Sequence, residues 1–425
     1  MRPLLIIRAI LLVSALSLVG GCGGPGSDRT PTGPRTGMWR MVLDLGEEDL
    51  PFLFEVDDDG DGWVISVYNG EERIAIRDVE VRQDTLHVRM PLYDSEFRGI
   101  LHNDSLFSGH WYNHLKGPDY AIPFTARAAA GERFPGELPP TTNVSGNWHV
   151  NFSASTPDAY EALGIFQQDV DGRATGTFVT ETGDYRFLEG AVHGDSLVLS
   201  CFDGSHAFLF KARMAGDSLV GSFWSGVHWQ EPWVAVRDPG FHLRDPDSLT
   251  FLKEGYDMIE FRFPDLHGDS ISPKDPRYMG KVLLVQVMGS WCPNCVDETR
   301  LLTELYREHH DAGLEVIAVA FEKHADPAQA LDALVHFRDA LAVPYAITYA
   351  GMAAKEEAAR KLPFLDHVMS YPTCIFVDRK GKVRRIRTGF YGPGTGEHYV
   401  NYRRNLEAFL QEMLQEAPPS AVATR

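Results

Sequence analysis

The chain has 425 residues, 44% of them hydrophobic and 23% charged, with a formal net charge of −19. At about 100–200 residues per domain, this length holds several domains, each large enough to bury a core of its own. The acid excess leaves no basic patch to neutralise phosphates, which argues against a nucleic-acid partner, and five cysteines are too few for a disulfide scaffold.

The amino terminus reads Met1-Arg2-Pro3, then a mostly apolar run over 4–19 broken by Arg8 and two serines, and closes on Val19-Gly20-Gly21-Cys22. A basic start, a short apolar region and small residues at the cut describe a secretory signal over 1–21. The run falls short of the roughly 20 apolar residues that a spanning helix needs. Small residues directly before Cys22 resemble a bacterial lipobox, which implies cleavage there and diacylglycerol on the thiol; an ordinary signal peptide with an incidental cysteine is the alternative. Residues 22–36 then form a flexible, lipidated tether.

Between about 37 and 237 the pattern is all-β. Short alternating runs such as 63–68 (WVISVY) are separated by Asn-Gly, Gly-Asp and Asp-Gly turn signals. The region repeats itself. Gly37-Met38-Trp39 recurs as Gly146-Asn147-Trp148, Asp84-Thr85-Leu86 as Asp195-Ser196-Leu197, and Asp104-Ser105-Leu106 as Asp217-Ser218-Leu219. Two copies, 37–130 and 144–237, are too few for a solenoid and suit two small antiparallel barrels or sandwiches of meandering strands; one larger closed sheet is the other arrangement. Trp39, Trp111, Trp148, Trp224 and Trp229 read as core anchors, some of which could line a ligand groove.

From about 245 to 416 helices join the strands. Residues 281–288 (KVLLVQVM) and 314–321 (LEVIAVAF) read as strands covered on both faces. Helices are expected over 297–309, 327–340, 356–362 and 402–414, with Asp326 capping the second and Pro327 at its first position. Residues 373–378 (TCIFVD) and 383–388 form an antiparallel pair. The expected fold is thus two tandem all-β repeats followed by an α/β domain with helices on both faces of its sheet.

Trp291-Cys292-Pro293-Asn294-Cys295 follows the first buried strand and opens a helix. Cysteines three apart there are close enough to join through sulfur. The first sits at the positive end of the helix dipole, where backbone N–H groups favour a thiolate, and the second, one turn in, can resolve a mixed disulfide. A structural zinc site would need a second ligand pair, and a c-type haem site a histidine where Val296 stands. A purely structural disulfide is the remaining alternative. No metal or other cofactor is called for.

On these motifs, with Gly280-Lys281-Val282-Leu283 before them and Ser370-Tyr371-Pro372-Thr373 after, the segment from about 254 to 416 resembles the thioredoxin superfamily, specifically the TlpA/ResA-like thiol–disulfide oxidoreductases. The resemblance implies that Cys292 attacks and Cys295 resolves. It makes Pro372 a cis-proline facing them, with Tyr371 and Trp291 lining the client groove. Glu298 matches an acidic residue held near the cysteines in ResA-like members, where it could tune the thiols and take a proton; a first-turn acid favoured by the helix dipole is the plainer reading. Thioredoxin itself keeps a buried Asp where this chain has Gln286.

The same resemblance implies protein disulfide or dithiol clients, a membrane electron carrier of the DsbD kind as donor, and a lipid-anchored place on the extracytoplasmic side of a bacterial envelope. The Pro-Asn dipeptide lacks the histidine of strongly oxidising members, which favours a reductase or a moderate potential. A thiol peroxidase is a second possibility, weakened by Gly289 where a Thr or Ser is usual. A client- or glycan-binding lipoprotein with an accessory dithiol is a third. Asp57, Asp59 and Asp61 imitate a calcium loop, but Tyr68 stands where the closing Glu belongs. Cys201 and Cys374 read as buried small hydrophobes, with Cys374 open to a third-thiol role.

Overall fold

The computed structural model describes residues 33–129, 131–136 and 138–418, so the expected signal segment and Cys22 lie outside the described residues. Two β units come first. The first has strands β1 (Gly37–Asp44), β2 (Asp49–Asp58), β3 (Trp63–Asn69), β4 (Glu72–Ile76), β5 (Val79–Arg82), β6 (Thr85–Arg89), β7 (Ser95–Asn103), β8 (Leu106–Asn113) and β9 (Ala121–Ala128). They form one antiparallel sheet in the order β4-β3-β2-β1-β9-β8-β7-β6-β5. Its two outer strands are neighbours in sequence, so the sheet curls nearly shut. Alternation drives this: Trp39, Met41, Leu43, Phe52, Phe54 and Val56 face inward, and a cavity of only about 20 Å³ is left among them.

The second unit has β10 (Gly146–Phe152), β11 (Tyr160–Gln168), β12 (Arg173–Thr180), β13 (Gly183–Asp184), β14 (Leu188–His193), β15 (Ser196–Phe202), β16 (Ala207–Ala215), β17 (Ser218–Ser225) and β18 (Trp229–Arg237). Here β11 also pairs with β12, which closes the barrel. The repeat is visible in detail. The Trp39 indole donates to the Arg35 carbonyl and the Trp148 indole to the Val144 carbonyl, each at 2.8 Å and each four residues back. Two separate sheets rather than one larger one is therefore the arrangement. They pack on each other directly, with Phe202 of the second stacked on Phe52 of the first at 4.5 Å between ring centroids.

The third unit opens with a short hairpin, β19 (Phe263–Pro264) and β20 (Ser270–Ile271), and then builds a five-stranded sheet. Its order is β23 (Ala346–Met352), β22 (Leu314–Glu322), β21 (Val282–Met288), β24 (Thr373–Val377), β25 (Val383–Thr388), parallel across the first three and antiparallel across the last two. Strand β21 alternates between two cores. Val282, Leu284 and Met288 pack under α1 (Pro293–His309), α2 (Pro327–Leu341) and α4 (Glu397–Gln415). Leu283, Val285 and Val287 pack against α3 (Lys355–Lys361) and the 259–263 segment. Helices thus cover both faces, as a central strand that is apolar except for Gln286 requires. Helix α1 starts four residues before the expected 297, because Cys292 caps it, and α4 starts five residues before the expected 402. Strand β23 has no counterpart in the sequence reading. Among the described residues, no helix is long and apolar enough to cross a membrane.

Candidate active site

Strand β21 delivers the chain to Gly289-Ser290-Trp291, a turn so tight that a Cβ on Gly289 would meet the Trp291 indole and the Phe321 carbonyl. Cys292 is the N-cap of α1. Its backbone is extended (φ −104°, ψ 111°), and its sulfur accepts the Cys295 N–H at 3.3 Å. Pro293 follows where the helix needs no donor. The Cys292 thiol donates to the Tyr371 carbonyl at 3.4 Å, and the Tyr371–Pro372 bond is cis. Both cysteines are free thiols; Cys292 keeps 6% exposure and Cys295 none. Burial, with Cys292 beside it, pushes the Cys295 thiol well above its ordinary value. The pair is asymmetric: Cys292 keeps a trace of exposure, and Cys295, fully buried, stays protonated until a base removes its proton.

Glu298, one turn further along α1, is 2% exposed, and burial pushes its carboxyl up to about 7. Gln286 connects the two. Its Nε2 donates to Glu298 Oε2 at 2.9 Å and to the Cys295 carbonyl at 3.4 Å, while its Oε1 accepts the Thr299 hydroxyl at 3.0 Å. The Trp291 indole donates to the Phe321 carbonyl at 2.9 Å and meets Tyr371 edge-on at 5.6 Å. The structure thus gathers Trp291, Cys292, Cys295, Glu298, Tyr371 and Pro372 around one turn. Cys374 pairs with Gln286 across β21 and β24, and Cys201 lies on β15; burial pushes both thiols well above their ordinary value. The aspartates at 57–61 lie where β2 turns into β3, and Asp59 is ion-paired with Arg77.

Sequence reasoning missed Glu322. It closes β22, is fully buried, and accepts the Ser290 N–H at 2.8 Å and the Ser290 hydroxyl at 2.7 Å. Burial pushes it up to about 7. It pins the turn that aims Cys292. Its signal was an acid directly after the apolar run 316–321.

One end of the second barrel stands over the dithiol. A cavity of about 1030 Å³ lies between them, with Tyr160, Phe208, Phe223 and Trp229 on the barrel side and Trp291 and Cys292 on the other. Of the five candidate anchors, Trp39, Trp111 and Trp148 are core residues, whereas Trp229 is 48% exposed and lines this chamber. The β12–β13 hairpin reaches across the chamber's edge. The Thr182 carbonyl accepts the Ser370 hydroxyl at 2.8 Å, the Asp184 carbonyl accepts the Asn294 amide at 3.3 Å, and the Asp184 carboxylate accepts the Gly392 N–H at 2.6 Å. Gly183, at φ +144°, lies so close that a Cβ would run into the Asn294 side chain.

The family model described as AhpC/TSA matches residues 255–386. The thioredoxin-like protein YneN of Bacillus subtilis is 29% identical over 138 residues, 32% of this chain and 73% of that protein. The thiol-disulfide oxidoreductase ResA of Bacillus thuringiensis is 31% identical over 133 residues, 31% of this chain and 68% of ResA. The thiol:disulfide interchange protein DsbE of Vibrio cholerae is 24% identical over 176 residues, 41% of this chain and 82% of DsbE. Among solved structures, a secreted thiol-disulfide isomerase from Corynebacterium glutamicum aligns with a TM-score of 0.31 at 17% identity, covering 41% of this chain and 98% of the isomerase. All of these cover only part of the chain.

Proposed function

The chain belongs to the TlpA/ResA-like thiol–disulfide oxidoreductases of the thioredoxin superfamily, and from that premise we propose that it reduces disulfides of protein clients outside the cytoplasm through Cys292 and Cys295. The observation that carries this reading is the asymmetry of the pair: Cys292 borders the chamber, and Cys295 is sealed beneath it.

The Cys292 thiolate attacks one sulfur of the client disulfide. The client S–S bond breaks, a Cys292–client mixed disulfide forms, and the departing client thiolate takes a proton. Cys295 then gives its proton to Glu298, with Gln286 holding that carboxylate in place, and attacks Cys292 Sγ. The second client thiol leaves. Two electrons have passed to the client, and the enzyme is left with a Cys292–Cys295 disulfide. A thiol reductant must restore it; family resemblance makes that donor a DsbD-like membrane carrier. The apolar leader and Cys22 support a lipid anchor on the extracytoplasmic side of the envelope.

Reduction of insulin disulfides tests the assignment. Cys292→Ser should abolish it, Cys295→Ala should accumulate mixed disulfides, and activity persisting in Cys292→Ser would sink the reading. The absence of histidine between the cysteines sets the expected potential on the order of −200 to −280 mV; a titration midpoint near −120 mV would make the protein an oxidant instead.

A further inference from the structure

The chamber rim carries lysines from the first barrel and from the dithiol domain. Lys116 ends the one-turn helix His114–Lys116 of the first barrel, His228 precedes β18 of the second, and Lys323 follows β22 of the dithiol domain. All three line the same cavity as Cys292. The Lys116 ammonium donates to His228 Nε2 at 3.3 Å, and the opposite ring nitrogen of His228 lies 3.2 Å from the Tyr120 hydroxyl. The Lys323 ammonium sits 4.0 Å above the Trp291 ring, next to the attacking cysteine.

Lys116 and Lys323 form no salt bridge among the described residues, and His228, held down at about 4 by burial and the Lys116 charge, is a neutral acceptor for Lys116; the carboxylates of the chamber wall are each hydrogen-bonded or ion-paired. Glu161 pairs with His149 at 2.8 Å and Glu181 with Arg244 at 2.5 Å. Asp184 accepts two backbone N–H groups, and Glu231 accepts the Ser153 and Tyr160 hydroxyls at 2.7 and 2.8 Å. Asp203, just behind, is 2% exposed and held by His206 and Arg186. A chain with a net charge of −19 thus places two lysines without a salt bridge on the wall of the chamber that holds its nucleophile.

We infer that Lys116 and Lys323, with the neutral His228 ring holding the Lys116 ammonium, form an anion-binding subsite that selects client segments carrying an acidic side chain next to the reactive cysteine. The inference rests on the dithiol reading above and adds the client's chemistry to it. A peptide segment is the occupant because the chamber, at about 1030 Å³, slightly exceeds the roughly 300–1,000 Å³ of drug-sized pockets and is walled by aromatic rings as well as charge. Burial and the Lys323 charge hold Lys116 down at about 8, so a bound carboxylate would relieve that repulsion.

The test is stopped-flow reduction, by the full chain, of synthetic peptide disulfides that differ only in the residue beside the cysteine: Glu, Gln or Lys. At low salt the Glu peptide should react about tenfold faster than the Lys peptide, and the gap should shrink at about 0.5 M salt. Lys116→Met should remove most of the preference while leaving the Gln peptide's rate within about twofold, and Lys116→Arg should keep it. The conservative variant separates a lost charge from a lost fold. Equal rates for the three peptides, or a preference unchanged in a Lys116→Met/Lys323→Met double variant, would overturn the subsite. Glutathione disulfide reacting as fast as the Glu peptide would overturn the peptide assignment. If no peptide is reduced at all, it is the dithiol reading that fails.

Discussion

Glu298 and Glu322 are two buried carboxyls on either side of the cysteine turn, both pushed up to about 7 by burial, and they do different things. Gln286 joins Glu298 to the backbone carbonyl of Cys295, and in the mechanism proposed above Glu298 takes the proton that the resolving thiol must lose. As a base it works only when ionised, so resolution of the mixed disulfide should accelerate as pH rises through about 7. Glu298→Gln should slow that step by about 100-fold at neutral pH and erase the inflection, measured by the decay of a preformed mixed disulfide. An unchanged pH profile would return Glu298 to the plainer role of a first-turn helix acid. The stability effect has the opposite sign. A carboxyl whose folded value exceeds its ordinary 4.5 binds more protons folded than unfolded, so its contribution is present below about 4.5 and is lost as pH rises to about 7. The Glu298→Gln protein should therefore lose less stability than the parent between pH 5 and 8, in urea titrations at each pH. Glu322 touches Ser290 rather than a thiol. Glu322→Gln should lower the rate of attack by Cys292 and leave resolution unaltered.

At the level of elements, the hairpin at 180–186 carries more of the assembly than its length suggests. Arg186, held at φ +64° and 4% exposed, pairs with Asp297 of α1 and with Glu72 at 2.5 Å, and lies 3.8 Å from Asp203. One guanidinium thus joins the first barrel, the second barrel and the dithiol helix. Buried ions cost desolvation, and removing one partner strands the rest. Arg186→Met should lower unfolding free energy by about 3–5 kcal/mol, with the loss greatest where the three carboxylates are ionised. Chemical denaturation at pH 5 and pH 8 reads both. A loss under about 1 kcal/mol would mean the carboxylates find water or protons without cost. This contact also shows where sequence reading stops. The dithiol turn was legible because its signals are local: an apolar strand, a proline at the first helical position, two cysteines three apart. The barrels were legible through alternation and through repeated Trp and Asp turns. Strand β23 escaped because Ala346, Ala350 and Gly351 give an edge strand with little apolar alternation. Arg186 and Asp297 are 111 residues apart, and neither carries a local mark of the other. The same holds for Lys116 and His228.

Taken as a whole molecule, the barrels wall the dithiol, and the large cavity lies at the end of the second barrel rather than inside the first. The first barrel is packed solid, with about 20 Å³ left inside, so a glycan or client would have to bind outside it. Its 90–94 loop packs Leu92 and Tyr93 into the dithiol domain's core, and His336 of α2 bonds the Pro91 carbonyl at 2.7 Å. The second barrel closes the opposite side through Ser205, whose hydroxyl donates to the Trp291 carbonyl at 3.4 Å, and through the 180–186 hairpin. Approach to Cys292 is therefore through the chamber. A bulky probe tests this more directly than any client. In the reduced protein, iodoacetamide should label Cys292 readily, while a maleimide on a large polymer should label it far more slowly than it labels an unfolded control. Gly183→Val, which pushes a side chain against Asn294 at a backbone angle that only glycine adopts comfortably, should lift the hairpin and narrow that difference. Equal labelling of the parent by both reagents would mean that the barrels stand clear of the thiol in solution; a difference that Gly183→Val leaves untouched would place the barrier elsewhere on the rim, at Trp229 or Lys116. Either result says how far client access is set by the barrels and how far by the dithiol domain's own groove at Tyr371 and Pro372.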